Sequence, residues 1–533
     1  MTMEYVYVEC EEGESQYDSY DLNEQSIVPA IYVHARVPQD KGNPYIEALP
    51  YPRKGDNIMR AYTRTLAEFD YNKIKDMSTL DKMLQVETLR NIRFPLPFHK
   101  DLEFYFYNAL LTSYRARKKV TSENTEIKYF LDNKEYNTST ILTGDSSEPT
   151  NAGFSLIGYS GCGKSSAISC LVLHYPQVIM HKSEDGGYYP QITYLVVNCI
   201  ANSNFKALYQ GIGEAIDKAL GNIKPVYERE IEKTAGLGGK AEKVKKLIEK
   251  FAIGIIIFDE IQLIDFKHTR ENTFDSLLTL ANRTKTSIAA VGTEDAVEKM
   301  FKELRTARRI GKMINGHKYC KSKQFFGYLV KNIFQYQWFD EPVSVTDDII
   351  DALYDVTKGI VDQLIGVYSC MNLDYINRKS KPQINSEYIR NISKKYYPGL
   401  QDVLANIETD INENVLGEIK NTAELRINKI IDDAKQEKEM SRIMLNSEIE
   451  VNEQAILKEV ISRITGIYDE YTPSMIEEAF NKVIKLKSSE GKTEKEISRL
   501  VIERLQKKNK KSSKKIKVQP PSTDYMKDFL DID

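Results

Sequence analysis

The chain has 533 residues, of which 41% are hydrophobic and 28% charged. At about 150 residues per domain this length corresponds to roughly three or four domains, and the globular composition excludes a wholly disordered or fibrous chain. Because 74 basic residues stand against 77 acidic ones, the net charge of -3 predicts no general attraction to nucleic acid. Any such contact depends on a local patch.

Cysteine spacing and apolar runs indicate the compartment. The six cysteines are scattered and none has CxxC spacing, which argues against disulfides and zinc and favours a reducing cytoplasm. The longest strongly apolar run, residues 251–258, is far shorter than the roughly 20 residues of a membrane span. The N-terminal residues are acidic where a signal peptide is basic. We therefore expect a cytoplasmic protein without membrane contact.

Residues 1–140 are rich in tyrosine and predict an N-terminal region of mixed structure that makes partner or oligomer contacts. Its predicted elements are two short strands, a proline-bracketed turn leading into one helical turn, and a helix: Tyr5–Val8, Ile31–Val33, Asn43–Pro50 and Leu102–Arg117. The polar residues 133–150 predict a linker.

Residues 141–340 alternate strands with helices, which predicts a mostly parallel sheet in an α/β core. The predicted strands are Phe154–Ile157, Ile192–Asn198, Ile253–Phe258 and Ser287–Val291. The predicted helices are Ser165–His174, Phe205–Leu220 and Phe274–Asn282, and Ala235–Lys246 is predicted to be a loop that enters a basic helix.

The remainder of the chain is predicted to be helical. Residues 341–400 are expected to form a helical lid with helices at Thr346–Val356 and Ile360–Asn372 and a third beginning near Ser386. Residues 401–505 predict a C-terminal helical region, in which Thr472 and Pro473 begin one helix as cap and first residue. Residues 506–533 form a lysine-rich tail whose end predicts a partner-docking segment through Tyr525, Phe529 and Leu530. A frayed terminus is the alternative for this end, and the lysines alone would also suit DNA phosphates.

The most specific motif is GYSGCGKS, Gly158–Ser165, which fits GxxxxGK[ST] between a predicted strand and a predicted helix. Glycines let backbone N–H groups surround a phosphate, and the helix N-terminus adds partial positive charge. Lys164 is predicted to reach the β and γ phosphates of ATP, and Ser165 to offer its hydroxyl to Mg²⁺. The remaining predicted nucleotide contacts lie in the same loop and first helical turn: Gly158, Ser160, Gly161, Cys162, Gly163 and Ser166.

Two carboxylates follow the apolar strand at residues 253–258, which places both at the carboxyl edge of the sheet. Asp259 is predicted to hold Mg²⁺, and Glu260 to polarise the attacking water, a pairing typical of a hydrolase. Thr293 follows the next strand and predicts a polar contact that helps to orient this water, although an ordinary turn has the same sequence.

Arginines and lysines supply the remaining candidates. Either Arg308 or Arg309 is predicted to contact the γ-phosphate of ATP bound by a neighbouring subunit. The alternative is that both belong to a solvated helix end. Lys206, Lys240 and Arg270 predict contacts with DNA phosphates, although charged runs are usually solvated surfaces.

The order of these motifs resembles the AAA+ ATPases, in which a phosphate loop, an Asp-Glu pair, a polar residue on the next strand and arginines precede a helical lid. The lid sequence TKGIVD, residues 357–362, looks like the turn of the initiator and helicase-loader branch, although no arginine follows Gly359 as a second sensor. The resemblance implies an AAA+ parallel-sheet core that binds ATP and Mg²⁺.

A closer resemblance is to the TnsC-type regulators of cut-and-paste DNA transposons. The matching stretches are NPYIEALP at 43–50, YPQVI at 175–179, DEIQ at 259–262 and LRTARR at 304–309. The resemblance covers residues 40–400 well and the rest loosely.

This resemblance implies an ATP-loaded homo-oligomer, a ring or filament on duplex DNA in the bacterial cytoplasm. Such a protein links a target-site-binding protein to the transposase and endonuclease subunits of the transposon. Two alternatives stay open: a helicase loader or replication initiator of the same ATPase class, and a signalling NTPase switch that binds only protein.

Overall fold

The computed structural model describes residues 7–10, 14–66, 69–117, 153–182, 187–200, 204–264, 280–281, 283–293, 312–396, 439–440, 442–444, 456–465, 468, 471–484 and 494–511. The chain divides into two compact units, Met1–Ser441 and Arg442–Asp533. The predicted linker at 133–150, almost all of the predicted helix at 274–282 and the end of the lysine-rich tail lie outside the described residues.

A five-stranded sheet forms the centre of the first unit. Its strand order is β5-β6-β7-β2-β8, and every pairing is parallel. The strands are β2 Phe154–Ile157, β5 Tyr194–Asn198, β6 Ile255–Asp259, β7 Ser287–Gly292 and β8 Lys312–Asn315. Both faces of β6 are buried, as the continuous apolar sequence predicts for a central parallel strand. The predicted α/β fold is confirmed, and β8 is a strand that the sequence reasoning missed.

Helices of the core follow the strands, as the alternation predicts. They are α6 Lys164–Val172, α7 Phe205–Ala219, α8 Tyr227–Lys233 and α9 Leu237–Lys250. The apolar side chains of α7 and α9 pack with those of β5 and β6 in one buried cluster. The predicted loop at 235–246 is wrong beyond its first residues, because α9 already begins at Leu237, immediately after Gly236.

The N-terminal region packs directly against this core. A second sheet has the order β1-β3-β4, in which β1 Ile27–Pro29 is parallel to β3 Val178–Lys182, and β3 is antiparallel to β4 Tyr188–Ile192. The predicted strand at 31–33 is displaced, since Tyr32 forms only an isolated bridge with Tyr7. Further N-terminal helices are α1 Pro44–Glu47, α2 Asp56–Tyr62, α3 Tyr71–Lys75, α4 Thr79–Glu87 and α5 His99–Arg115.

The NPYIEALP segment, Asn43–Pro50, forms the predicted turn and single helical turn, and its side chains act in packing. Asn43 accepts a hydrogen bond from the Tyr45 backbone N–H at 3.1 Å, and its Nδ2 donates to the Tyr114 carbonyl on α5 at 3.0 Å. The Tyr45 ring stacks on Tyr114 at 5.5 Å, while Gln191 Nε2 of β4 donates to the Tyr45 carbonyl. This segment therefore joins α5 to the second sheet.

The described part of residues 341–400 is helical, as predicted. Its helices are α11 Asp347–Thr357, α12 Val361–Asn377 and α13 Ser386–Tyr396, and α10 Lys323–Ile333 precedes them within the range predicted as core. The Thr346 side chain caps α11 by accepting from the Ile349 N–H. The indole N–H of Trp338, between α10 and α11, donates to Gln85 of α4 at 2.9 Å, so the N-terminal region also holds the lid.

The second unit has its own apolar cluster of residues between Val460 and Leu505. Its helices include α14 Pro473–Ile484 and α15 Glu494–Lys511, with Thr472 capping α14 as predicted. Helix α15 extends to Lys511, so the lysine tract begins within a helix. Among the described helices of both units, none combines the length and apolar character needed to cross a bilayer.

Candidate nucleotide-binding site

The loop between β2 and α6 has the backbone of a phosphate cradle. Gly161 and Gly163 have φ values of +79° and +94°, which L-residues with a Cβ rarely adopt. Helix α6 begins at Lys164, so the N–H groups of its first turn open into the loop. The sequence places these glycines where the backbone turns toward the phosphate position.

Lys164 lies beneath this loop and is only 6% exposed. Its Nζ donates to the carbonyls of Gly158 at 2.8 Å and Tyr159 at 2.9 Å. A buried ammonium needs such acceptors, and the same group is within the cavity that would receive phosphate oxygens. The predicted location of the phosphate-binding lysine therefore agrees with the fold.

Cys162 fills the base of the loop. It is fully buried, and a Cβ placed on Gly158 would lie 2.8 Å from its Sγ. Burial raises the pKa of the Cys162 thiol, with Lys164 acting in the opposite sense, so the neutral thiol is favoured. Its carbonyl accepts from the Tyr319 hydroxyl at 3.1 Å. Cys162 is thus a packing residue of the loop and not a nucleophile.

The carboxylates Asp259 and Glu260 lie at the carboxyl end of β6, as the sequence predicts. Asp259 is 7% exposed, and its Oδ1 accepts from the Glu260 N–H at 2.9 Å. Glu260 is an exposed residue in the left-handed region, at φ +56° and ψ +41°. Burial, followed by the Asp259 and Glu260 charges, raises the pKa of the adjacent Cys199 thiol to about 12. The strand end is therefore an acidic edge beside the phosphate loop.

Thr293 follows β7, which lies between β6 and β2 in the sheet. Ile157 is in register with Gly292, and the Gly158 N–H donates to the Gly292 carbonyl at 3.1 Å, so the phosphate loop and Thr293 begin side by side. The Thr293 Oγ1 is buried and has no hydrogen-bond partner among the described residues. A buried hydroxyl without a partner next to the loop is available to a ligand.

A cavity of about 560 Å³ opens beside the phosphate loop. One part of its lining consists of Ser160, Gly161, residues 163–167, Cys170, Glu260 and Thr293, and neither Cys162 nor Asp259 is among the lining residues. The N-terminal region contributes a second wall and the lid a third: Tyr62, Glu87, Arg90, Ile92, Arg93, Phe94, Leu96 and His99, then Val361, Asp362, Gln363, Ile365, Gly366, Ser369, Cys370 and Leu373. The volume is in the range of small-molecule pockets.

Sequence reasoning missed the N-terminal wall. Leu96 packs on the phosphate loop, 3.2 Å from the position that a Cβ on Gly163 would occupy. Residues 94–98 form the apolar, proline-containing run FPLPF immediately before α5. An apolar run within a polar region indicates that residues 94–98 are buried, but residue spacing does not show which part of the fold they pack against.

The lid touches the phosphate loop directly through Asp362. The Asp362 N–H donates to the Gly161 carbonyl at 3.2 Å, and a Cβ on Gly161 would lie 2.9 Å from the Asp362 Cβ. The first turn of α12 therefore presents a carboxylate, not a cation, to the cavity.

The oxygen donors at the site suit a hard divalent cation. Ser165 lines the cavity, and Asp259, which is not among the lining residues, ends β6 at the same carboxyl edge of the sheet. Among the described residues, no cluster of three or more His, Cys, Asp or Glu side chains could enclose a metal by itself. Mg²⁺ prefers oxygen ligands and keeps substrate phosphates and water in its shell, so a hydroxyl with one carboxylate fits this ion.

The residues predicted to contact DNA lie in different environments. Lys206 is exposed near the start of α7. Lys240 is 4% exposed, and its Nζ donates to the Ile231 carbonyl and, at 2.7 Å, to the Glu232 carbonyl at the end of α8. The Lys240 ammonium is therefore occupied inside the fold, and its contact with DNA stays a prediction. Arg270, Arg308 and Arg309 lie outside the described residues.

Comparison with known proteins identifies the central domain. Residues 150–301 match the family model of an AAA domain. Together with the parallel five-stranded sheet, this match shows an AAA+ fold of the α/β class. No curated protein sequence is significantly similar to the chain.

Several solved structures resemble parts of the chain. Cdc6p from Pyrobaculum aerophilum has 16% identity over 46% of this chain and 62% of that protein, with a TM-score of 0.32. ORC1 of Aeropyrum pernix, solved in complex with DNA, has 13% identity over 70% of this chain and 75% of its own, with a TM-score of 0.30. A Walker-type ATPase of Pyrococcus abyssi has 12% identity over 53% of this chain and 84% of its own, with a TM-score of 0.29. The chain thus spans less than two thirds of the Cdc6p length.

Proposed function

We propose that this protein is a Mg²⁺-dependent ATP hydrolase whose active site is the cavity of about 560 Å³. One observation carries the proposal. Lys164, Ser165, Glu260 and Thr293 come from three separate places in the sequence and line this one cavity.

Each group has a defined task in this proposal. The loop N–H groups and the α6 N-terminus receive the phosphates, and Lys164 exchanges its two carbonyl acceptors for β and γ phosphate oxygens. Glu260 polarises the attacking water, while the Thr293 hydroxyl donates to the water or to the γ-phosphate. When bound, Mg²⁺ neutralises phosphate charge, and Ser165 and Asp259 are the residues that would hold it.

Two substitutions test the site. Lys164→Ala removes the cation that meets the phosphates, and we expect ATP binding to fall at least about tenfold. Glu260→Gln keeps the size and a hydrogen-bonding group but cannot take up a proton, so we expect ATP to bind while turnover falls by about 10²-fold or more. Lys331→Ala, at an exposed lysine of α10, is the matched control. Normal turnover in both site variants would contradict the proposal, and omission of Mg²⁺ should abolish turnover.

We further propose that the ATPase switches a homo-oligomer on duplex DNA, in which it regulates transposition together with transposase, endonuclease and a target-site-binding protein. The support is the sequence resemblance of NPYIEALP and LRTARR at 43–50 and 304–309. Binding of plain duplex only with a non-hydrolysable ATP analogue, and partner capture by the transposition subunits, are the expected results. DNA binding with capture of a replicative helicase instead would favour the initiator or loader alternative, and no DNA binding would favour the protein-only switch.

The oligomer proposal includes a finger arginine, Arg308 or Arg309, that acts on the neighbouring subunit. A variant without the arginine and the Lys164→Ala variant should each be inactive alone. Mixing them should restore part of the turnover, because some interfaces then join an intact arginine to an intact phosphate loop. No recovery at any mixing ratio, with both variants folded, would contradict action across the interface.

The tail is proposed to dock partners through Tyr525, Phe529 and Leu530, which lie outside the described residues. Deletion of residues 512–533 should leave turnover intact and weaken capture of the transposition subunits. Loss of DNA binding with unchanged capture would identify the tail as a DNA-binding arm instead.

A further inference from the structure

We propose that Gln262 is a positioning residue that aligns the base Glu260 with Thr293 for ATP hydrolysis. This inference rests on the proposed function and adds to it a residue that does not itself line the cavity within the described part of the chain.

The side-chain amide of Gln262 bridges the ends of two neighbouring strands. Its Nε2 donates to Oε2 of Glu260, which follows β6. Its Oε1 accepts from the backbone N–H of Thr293, which follows β7, at 3.2 Å. One planar group therefore ties the carboxylate to the backbone of the residue whose hydroxyl has no other partner among the described residues.

Buried neighbours and a backbone hydrogen bond anchor the segment that carries Gln262. Ile261 and Ile264 on either side are 0% and 1% exposed, and the Leu263 N–H donates to the Glu260 carbonyl at 2.9 Å. Short buried anchors of this kind restrict where the Gln262 side chain reaches. The core therefore sets the backbone position from which Gln262 reaches Glu260 and Thr293.

The hydrogen bond from Gln262 restricts the side-chain conformation of Glu260, whose backbone is left-handed. Glu260 has a Cβ yet lies in the left-handed region, which is strained for such a residue and turns its side chain away from the ordinary strand direction. Left alone, an exposed carboxylate at such a turn samples several rotamers. With Oε2 held by Gln262, Oε1 is the oxygen left for the attacking water, and its distance from Thr293 is defined. Misplacement of a catalytic group by about 1 Å can reduce a rate by about 10²-fold.

Glutamine has the chemistry that this position needs. The bridge requires one donor facing a carboxylate and one acceptor facing an N–H, and an amide supplies both. A glutamate there would keep the acceptor for the Thr293 N–H but place a second negative charge against Glu260. A methionine would keep the length and lose both bonds. These two substitutions separate the two halves of the bridge.

The test measures steady-state ATP hydrolysis by the full chain carrying Gln262→Met or Gln262→Glu. We expect kcat to fall about 10–100-fold with KM for ATP and analogue affinity within about twofold, because the nucleotide contacts are untouched. The kcat of the Gln262→Glu variant should fall at least as far as that of the Gln262→Met variant. Gln335→Met, at an exposed glutamine after α10, is the matched control and should keep the wild-type kcat.

A second measurement separates positioning from a structural role. In the Glu260→Gln background there is no base to align, so adding Gln262→Met should change the single-turnover rate by less than about twofold. Full multiplication of the two losses, an unchanged kcat, or a raised kcat in Gln262→Met would each overturn the inference. If Gln262→Met is normal while Glu260→Gln is inactive, only this inference fails. If the wild-type chain does not hydrolyse ATP, or if Glu260→Gln is fully active, the proposed function fails with it.

Discussion

Replacing Lys240 by methionine tests whether this lysine stabilises the fold or binds DNA. Its Nζ donates to two carbonyls in the last turn of α8, Ile231 and Glu232, and its side chain is 4% exposed. The last carbonyls of a helix have no partner within the helix, and a cation there also favours the negative end of the helix dipole. Methionine keeps the apolar stem and removes both hydrogen bonds.

The size of the effect follows from these contacts. Hydrogen bonds to a charged group contribute about 1.5–3 kcal/mol each, but removal of the buried ammonium also removes its desolvation cost. We therefore expect a net loss of about 1–3 kcal/mol, which lowers the melting temperature by roughly 2–6 °C at about 2 °C per kcal/mol. The assay is thermal unfolding followed by circular dichroism, beside a DNA titration at several salt concentrations.

Lys206→Met is the matched control, because Lys206 is exposed near the start of α7. It should leave the melting temperature within about 1 °C and, if this lysine contacts a phosphate, reduce the salt dependence of DNA binding by about one ion. An unchanged melting temperature with weakened DNA binding in Lys240→Met would refute the structural reasoning.

Two further predictions concern buried carboxylates in the first unit. Asp217 accepts from Asn222 Nδ2 at 2.7 Å and from the N–H groups of residues 226–228 at the start of α8; Asp217→Asn should lower the melting temperature by several degrees, since its amide places a donor against these donors. Burial alone would raise the pKa of Asp374, but hydrogen bonds from Lys395, Arg378, Tyr396 and Tyr388 lower it to about 2. Its stabilising contribution is therefore present above about pH 3.8 and lost as the pH falls through about 2. Asp374→Asn should cost about 2 kcal/mol at pH 7, with a difference from wild type that narrows below pH 4; a gap that stays constant would contradict the assignment.

Local patterns in the sequence are sufficient for the phosphate loop and the strands around it. The strand Phe154–Ile157 has the predicted bounds, and Ser287–Gly292 and Ile255–Asp259 differ from prediction by only one or two residues. A glycine-rich loop between a strand and a helix is specified by residues adjacent in the chain, which is why the motif predicts the position of Lys164. Glu260 follows another parallel strand, and the carboxyl ends of parallel strands lie at the same edge of the sheet. The cap of α11 at Thr346 is local in the same sense.

Contacts between distant segments decided the rest. The pairing of β1 with β3 joins residues about 150 positions apart, and Leu96 of the N-terminal wall packs on Gly163 of the phosphate loop, 67 positions later in the chain. Nothing in the periodicity of these segments specifies their partner, so the sequence does not predict that the N-terminal region lines the cavity. Its partner or oligomer contacts stay a prediction.

By itself the sequence determined that this chain carries a phosphate loop, a hydrolase-type carboxylate pair and a helical lid, because these depend on residue type and short spacing. Only the tertiary structure decided that Lys240 is buried as a helix cap, that Asp362 faces the phosphate loop and that Gln262 bridges Glu260 and Thr293. Burial and hydrogen bonding between separate elements arise from how the helices and strands pack. A lysine that ends inside the fold has the same letter in the sequence as one that faces solvent.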